Sequence, residues 1–226
     1  MDKRTKKNLE TIYQKLLAKF GPQKWWPAET KFEVIVGAIL TQNTNWGNVE
    51  KALANLKKAG ILNPDGLRQI STYKLARLIK PSGYFNVKAK RLKSFIHFFF
   101  KEYDGDLSEM AKEPLEILRK KVLTVHGIGP ETADSILLYA CDHPIFVVDV
   151  YTKRIFSRHN LVASDADYHQ IQKLFMKHFP VDVQLFNEHH ALIVRLGKDF
   201  CKTKPLCEIC PLNYLNRLSK YKYLRK

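Results

Sequence analysis

The stretch 123–149, LTVHGIGPETADSILLYACDHPIFVVD, constrains this chain more than any other. It reads as the end of one helix, the turn Gly127-Ile128-Gly129, a second helix opened by Pro130, a short apolar connection and one acidic residue, Asp149. Proline suits a first helical position, where its missing N–H is not needed. Two glycines let the backbone take positive φ and come close to something large. Free N–H groups at a helix start attract anions, phosphate above all. A lone Gly-x-Gly has other uses. A dinucleotide-binding turn needs a third glycine and a preceding strand, and here a helix precedes. A tight helical hairpin within a core stays open as the plainer alternative.

Charge narrows the choice of anion. The chain carries a formal net charge of +16, with 38 Lys and Arg against 22 Asp and Glu. Such a surplus points to a polyanionic partner, nucleic acid or an anionic membrane. No run approaches the roughly 18 apolar residues of a membrane span, and MDKRTKKNLE leads into no signal-peptide core. The expectation is a soluble, cytoplasmic, DNA-associated protein with no membrane partner. At 226 residues the chain suffices for one large domain or two small lobes.

Periodicity predicts helices throughout. Apolar stripes cover 5–20, which Gly21-Pro22 ends, and 86–103, where Leu92, Phe95, Ile96, Phe99 and Phe100 point inward. The segment 30–41 is apolar nearly all round, so it should be central, with Thr30 as its cap. Further helices are expected at 46–56, 65–70, 72–79, 114–123, 130–141, 150–159, 165–179 and 181–200. Ile145 to Val148 could pass for a strand but has no evident partner.

These motifs together resemble the helix-hairpin-helix and Gly/Pro-loop-Asp signature of the endonuclease III superfamily of DNA glycosylases. Ile39-Leu40-Thr41-Gln42-Asn43-Thr44 is similar to the segment before that family's DNA-wedging loop, and Gly83-Tyr84-Phe85-Asn86-Val87-Lys88-Ala89 to its Gly-x-x-x-x-Lys-Ala helix start. The resemblance implies an all-α fold of two helical lobes with a DNA-binding cleft between them, one lobe over 30–130 and the other over 1–29 with 131–226. It implies a monomer acting on double-stranded DNA that contains a damaged base. Gln42, Asn43, Gly127, Ile128, Gly129, Thr132 and Lys153 would meet DNA, with Gln42 filling the gap left by an extruded base.

Asp149 follows the family's Val-Asp step and would carry the chemistry. Breaking an N-glycosidic bond builds oxocarbenium character on the sugar, which a fixed carboxylate stabilises while activating water. The plainer role, capping the helix that begins at Val150, is compatible with this. Bifunctional members carry a lysine shortly after the Gly-x-Gly that forms a Schiff base. Glu131 stands at that position here, which implies simple hydrolysis. A monofunctional enzyme works most easily on bases that leave readily, such as cationic alkylated purines. Trp25, Trp26, Pro27 and Trp46 resemble the bacterial 3-methyladenine DNA glycosylase III branch, whose aromatics flank the flipped base, and aromatic faces attract a cationic ring. Two alternatives stay open: a glycosylase with lyase activity for oxidised pyrimidines or mismatches, and a non-catalytic helix-hairpin-helix DNA-binding protein.

Cys201, Cys207 and Cys210 look like the family's C-terminal iron–sulfur loop, Cys-x6-Cys-x2-Cys-x5-Cys. Here the first spacer is one residue short, and Asn216 stands where the fourth cysteine would fall. The loop either holds a [4Fe–4S] cluster whose last ligand is water, another residue or Cys141, or packs without metal.

Overall fold

The computed structural model describes residues 3–23 and 25–218, with side chains through residue 215. The basic segment 219–226 lies outside the described residues. In chain order the helices are α1 (Lys3–Phe20), α2 (Lys31–Leu40), α3 (Trp46–Lys58), α4 (Pro64–Gln69), α5 (Thr72–Leu78), α6 (Phe85–Tyr103), α7 (Leu107–Lys112), α8 (Leu115–Leu123), α9 (Pro130–Tyr139), α10 (Val150–Arg158), α11 (Tyr168–His178), α12 (Val183–Asp199) and α13 (Asn213–Leu218). Short 3-10 turns stand at Lys80–Ser82 and Cys207–Ile209.

The boundaries follow from caps. Thr30, Asn45, Asn63, Ser71, Asp106, Asp149, Asp167 and Asp182 each precede a helix and accept a first-turn N–H on the side chain. Each satisfies a donor that the helix cannot satisfy itself. The six-residue α7 and α13 are not anticipated from the sequence, although α4 of the same length is.

The fold is all-helical among the described residues. Residues 145–148 run extended but form no strand. Their side chains are buried, and their backbone is served by side chains instead: Gln172 Nε2 donates to Phe146 O at 2.7 Å, and Val148 N donates to Tyr168 Oη at 3.4 Å.

The chain divides into two compact units, Trp26–His143 and Met1–Trp25 with Pro144–Lys226. Helix α9 belongs to the first because it packs on α2 and α8, so this unit runs past the expected limit at 130. Within it α2 is the hub, packing on α3, α6 and α9, and every residue from Phe32 to Leu40 is buried. Burial on all sides explains the all-round apolar pattern. Helices α8 and α9 are tied by a buried fork: Arg119 Nε and Nη2 donate to Asp134 Oδ1 and Oδ2 at 2.7 and 3.0 Å.

In the second unit α12 packs on α1 and α10. Phe146 stacks on Phe175 with ring centroids 3.9 Å apart. His189 of α12 is fully buried amid Tyr13, Phe146, Phe175 and Phe179, all edge-on to it.

Candidate active site and nucleic-acid interface

The hairpin turn needs its first glycine twice over. Gly127 has φ +84°, and a Cβ there would stand 2.4 Å from Arg91 Cγ. Ile128 is turned into the core at 5% exposure, and its N–H donates to Val125 O at 3.0 Å, so neither is offered outward. Gly129 is the exposed N-terminal cap of α9, and the helix then opens on Pro130 and the exposed Glu131. The turn therefore presents backbone at a helix start, as an anion site requires.

The structure brings Gln42 onto this hairpin. Its Nε2 donates to Gly127 O and to Thr132 Oγ1, each at 3.0 Å, while Arg91 Nη1 donates to its Oε1 at 2.5 Å. Thr132 is thereby a buried partner of Gln42. Asn43 next to it is exposed with φ +53°, a conformation asparagine tolerates better than most residues. Lys88 steadies the end of α2 that leads into this segment. It is 1% exposed, and Nζ donates to Leu40 O at 2.7 Å and Ser82 O at 2.6 Å. Burial, with the Arg91 charge adding, pushes its ammonium down to about 8. Sequence reasoning named neither Arg91 nor Lys88 as functional. The lysine of Gly-x-x-x-x-Lys-Ala was visible, but only its burial shows what it holds.

Trp26 and Trp46 meet edge to face with centroids 5.2 Å apart, and Trp26 also packs on Tyr139 at 5.1 Å. Gly37 lies beneath both, since a Cβ there would touch each indole at 3.5 Å. A base does not fit between these two rings as they stand; it would stack on an outer face or part them. Trp46 Nε1 donates to Glu50 Oε1 at 2.9 Å. Pro27 is exposed. Trp25 belongs to the other unit, where Lys198 Nζ lies 5.7 Å from its ring centroid.

Asp149 is 9% exposed and forms a capping box at the start of α10. Its Oδ1 accepts from Thr152 N at 2.7 Å and Thr152 Oγ1 at 2.8 Å. Its Oδ2 lies 3.7 Å from His190 Nε2. Burial pushes this carboxyl up; His190 and the Thr152 donors outweigh that and hold it below the usual carboxylate range. Asp149 is thus a buried anion near neutral pH, the form that glycosidic chemistry needs. Sequence reasoning missed His190. The available signal was a His-His pair opening an otherwise apolar run, Ala191-Leu192-Ile193-Val194. Lys153 sits exposed in the first turn of α10.

The cysteine loop follows α12. Cys201 is buried, and Cys207 and Cys210 are half-buried. Arginines of α10 hold the loop: Arg154 Nε donates to Cys201 O at 2.8 Å, Arg158 Nη1 to Lys202 O at 2.7 Å and to Cys201 Sγ at 3.3 Å. Cys210 Sγ accepts from Leu212 N at 3.4 Å. Asn216 falls in α13, with its side chain outside the described residues. Cys141 belongs to the other unit, where burial pushes its thiol up to about 12. No group of three or more His, Cys, Asp or Glu among the described residues is placed to hold a metal ion. Three thiols with a short first spacer and a guanidinium on one sulfur do not make up a four-thiolate cluster site.

Residues 36–181 match the HhH-GPD superfamily of base excision DNA repair proteins. The chain is 50% identical over 203 residues to a Methanocaldococcus jannaschii protein provisionally named DNA repair glycosylase MJ1434, spanning 89% of this chain and 92% of that one. It resembles the crystal structure of Helicobacter pylori 3-methyladenine DNA glycosylase bound to 1,N6-ethenoadenine. The TM-score is 0.74 at 33% identity, over 86% of this chain and 97% of that one. An endonuclease III trapped covalently on DNA superposes with TM-score 0.80 at 19% identity, over 95% and 99% of the two chains, a likeness that speaks for the fold. With its hairpin turn, its Gly-Pro helix start and a buried aspartate in the Val148-Asp149 step, the chain belongs to the HhH-GPD superfamily and is a base excision repair DNA glycosylase.

Proposed function

We propose that this glycosylase hydrolyses the N-glycosidic bond of an alkylated purine such as 3-methyladenine, flipped out of double-stranded DNA, and leaves an abasic site uncut. The observation that carries the reading is Glu131: the first turn of α9 presents a carboxylate where strand-cleaving relatives need an amine. A carboxylate forms no Schiff base, so water is the attacking group. The 33% identity to a 3-methyladenine DNA glycosylase supports the substrate class.

The residues divide the work as follows. Gly127, Gly129 and Lys153 hold phosphate as a monomeric enzyme tracks the duplex, while the side chain of Ile128 fixes the turn from within. Gln42, with Asn43 beside it, fills the gap left by the extruded base, which must leave the stack because its bond is unreachable inside it. Trp25, Trp26, Pro27 and Trp46 offer aromatic and apolar faces to a cationic ring, and Glu131 adds a negative charge. A cationic purine departs as a neutral base, so no strong acid is needed. Asp149 stabilises the oxocarbenium ion and draws a proton from the attacking water. The cysteine loop serves as packing that sets Lys202 and Lys204 near phosphate, and no step runs through iron. The setting is the DNA of the cytoplasm; no helix among the described residues is long and apolar enough to cross a membrane.

The test is a panel of duplexes with alkylated purines, oxidised pyrimidines and mismatches, each assayed with and without alkali. Release of methylated purines with strand breaks only after alkali is expected. Breaks without alkali, or a preference for neutral oxidised bases, would sink this assignment. Asp149→Asn should slow excision by about a hundred-fold or more while duplex affinity is retained.

A further inference from the structure

The helix start at α10 uses only one oxygen of Asp149. Oδ1 takes both donors of Thr152, and Oδ2 is left facing the imidazole of His190 at 3.7 Å. That distance is an ion-pair separation, longer than a hydrogen bond. His190 is itself almost fully enclosed, its side chain 6% exposed. It stands on a helix whose next four residues, Ala191 to Val194, are all buried and apolar. Packing alone would be served better by another aliphatic side chain, because burying an imidazole costs free energy.

Its neighbour explains how the ring is aimed. Consecutive residues on a helix point about 100° apart. His189 is locked in the ring of Tyr13, Phe146, Phe175 and Phe179, which fixes the rotation of α12. That rotation turns His190 toward the start of α10, against which α12 packs.

We propose that His190 is a positioning residue for base excision: with Thr152 fixing Oδ1, its ring nitrogen fixes Oδ2, so Asp149 meets the sugar in one orientation. The inference rests on the assignment of Asp149 to the glycosidic step. The interactions that set the charge of Asp149 come from His190 and Thr152. His189 lies next on the same helix and feels the His190 charge, and Tyr13 of α1 packs on His189. Arg154 of α10 is engaged with the carbonyls of Gly197 and Cys201.

The experiment compares the full-length wild type with Asp149→Asn, His190→Leu, His190→Gln and His190→Asn. Single-turnover release of methylated purines from dimethyl-sulfate-treated DNA is followed from pH 3 to 8 against an enzyme-free control. Affinity for a duplex with a tetrahydrofuran abasic analogue is measured alongside. The leucine variant should lose roughly ten-fold or more in rate at neutral pH with affinity changed less than about two-fold. The acidic limb of its rate profile should move to higher pH, since one of the two groups that offset the burial of Asp149 is then gone. Glutamine reaches with an amide N–H and should restore most of the rate and the limb; the shorter asparagine should not. A purely structural residue would change yield and melting temperature but leave the limb in place.

A leucine variant with wild-type rate and limb, beside an inactive Asp149→Asn, overturns the role of His190 and leaves that of Asp149 standing. An active Asp149→Asn overturns the assignment of Asp149 itself. If the leucine variant does not fold, glutamine and asparagine decide: equal limbs refute the proposal, and a limb raised only in asparagine supports it.

Discussion

Replacing His189 by phenylalanine isolates the effect of one buried titratable ring. His189 is fully buried, with Tyr13, Phe146, Phe175 and Phe179 edge-on at 5.1, 5.7, 5.3 and 4.8 Å. Neither ring nitrogen finds a hydrogen-bond partner among the described residues. Burial first, and the His190 charge second, push its pKa from the ordinary 6.5 to about 3. The folded value therefore lies below the unfolded one. Above pH about 6.5 both states hold the neutral ring and nothing is lost. As pH falls, the unfolded chain takes up a proton that the folded chain refuses, and stability drops by about 1.4 kcal/mol per pH unit. The loss continues to about pH 3, where it reaches on the order of 5 kcal/mol.

Phenylalanine keeps the planar shape and carries no proton. At pH 7.5 two effects of about 1–3 kcal/mol oppose each other: relief of the unsatisfied nitrogens and the strain of a slightly larger ring. That offset does not vary with pH. Between pH 7.5 and 5 the variant should gain about a further 2 kcal/mol on the wild type. Urea unfolding followed by circular dichroism at several pH values measures the difference, in which the other titrating groups cancel. A constant difference across this range would refute the account of His189 as a ring held neutral by burial.

Three other outcomes are expected. Asp134→Ala removes the carboxylate that accepts both Arg119 donors at the α8–α9 junction and should cost about 3–5 kcal/mol in thermal or urea unfolding; pairing it with Arg119→Met should recover most of that. Gly127→Ala meets both φ +84° and the Arg91 side chain, so it should destabilise by at least about 1 kcal/mol and weaken binding of undamaged duplex in fluorescence anisotropy. Glu131→Lys should make the enzyme trappable on damaged DNA by borohydride, read as a shifted band on a denaturing gel, whereas the wild type should not be.

The long helices were legible because each buries one stripe on the core, and α2 stood out because it is buried on every side. Caps were legible for the same local reason: Thr30 and Asp149 serve the turn that follows them. The six-residue α7 and α13 were not legible, although α4 of the same length was. Nor was the limit of the first unit, because α9 is assigned by what it packs on, and that is a non-local fact. The turn glycines and the aspartate could be read as types at a spacing. Partnerships could not. Nothing in the sequence joins Gln42 to Gly127 and Thr132, or Asp149 to His190 41 residues on, since only folding brings them within reach. The mutual contact of Trp26 and Trp46 was equally hidden, and it alters how a base could lie against them.

Active-site residues usually sit in places the fold would prefer to fill otherwise, so removing them tends to stabilise the protein while abolishing activity. The capping box at Asp149 departs from that pattern. The carboxylate to which we assign the glycosidic step starts α10 with one oxygen and turns the other toward His190. Alanine there should forfeit a helix cap worth about 1 kcal/mol, while asparagine, an equally good cap, should keep it. Drift at this position is therefore opposed by stability as well as by the role proposed for it. A search for sturdier variants of this enzyme would not select against the residue to which we assign its reaction.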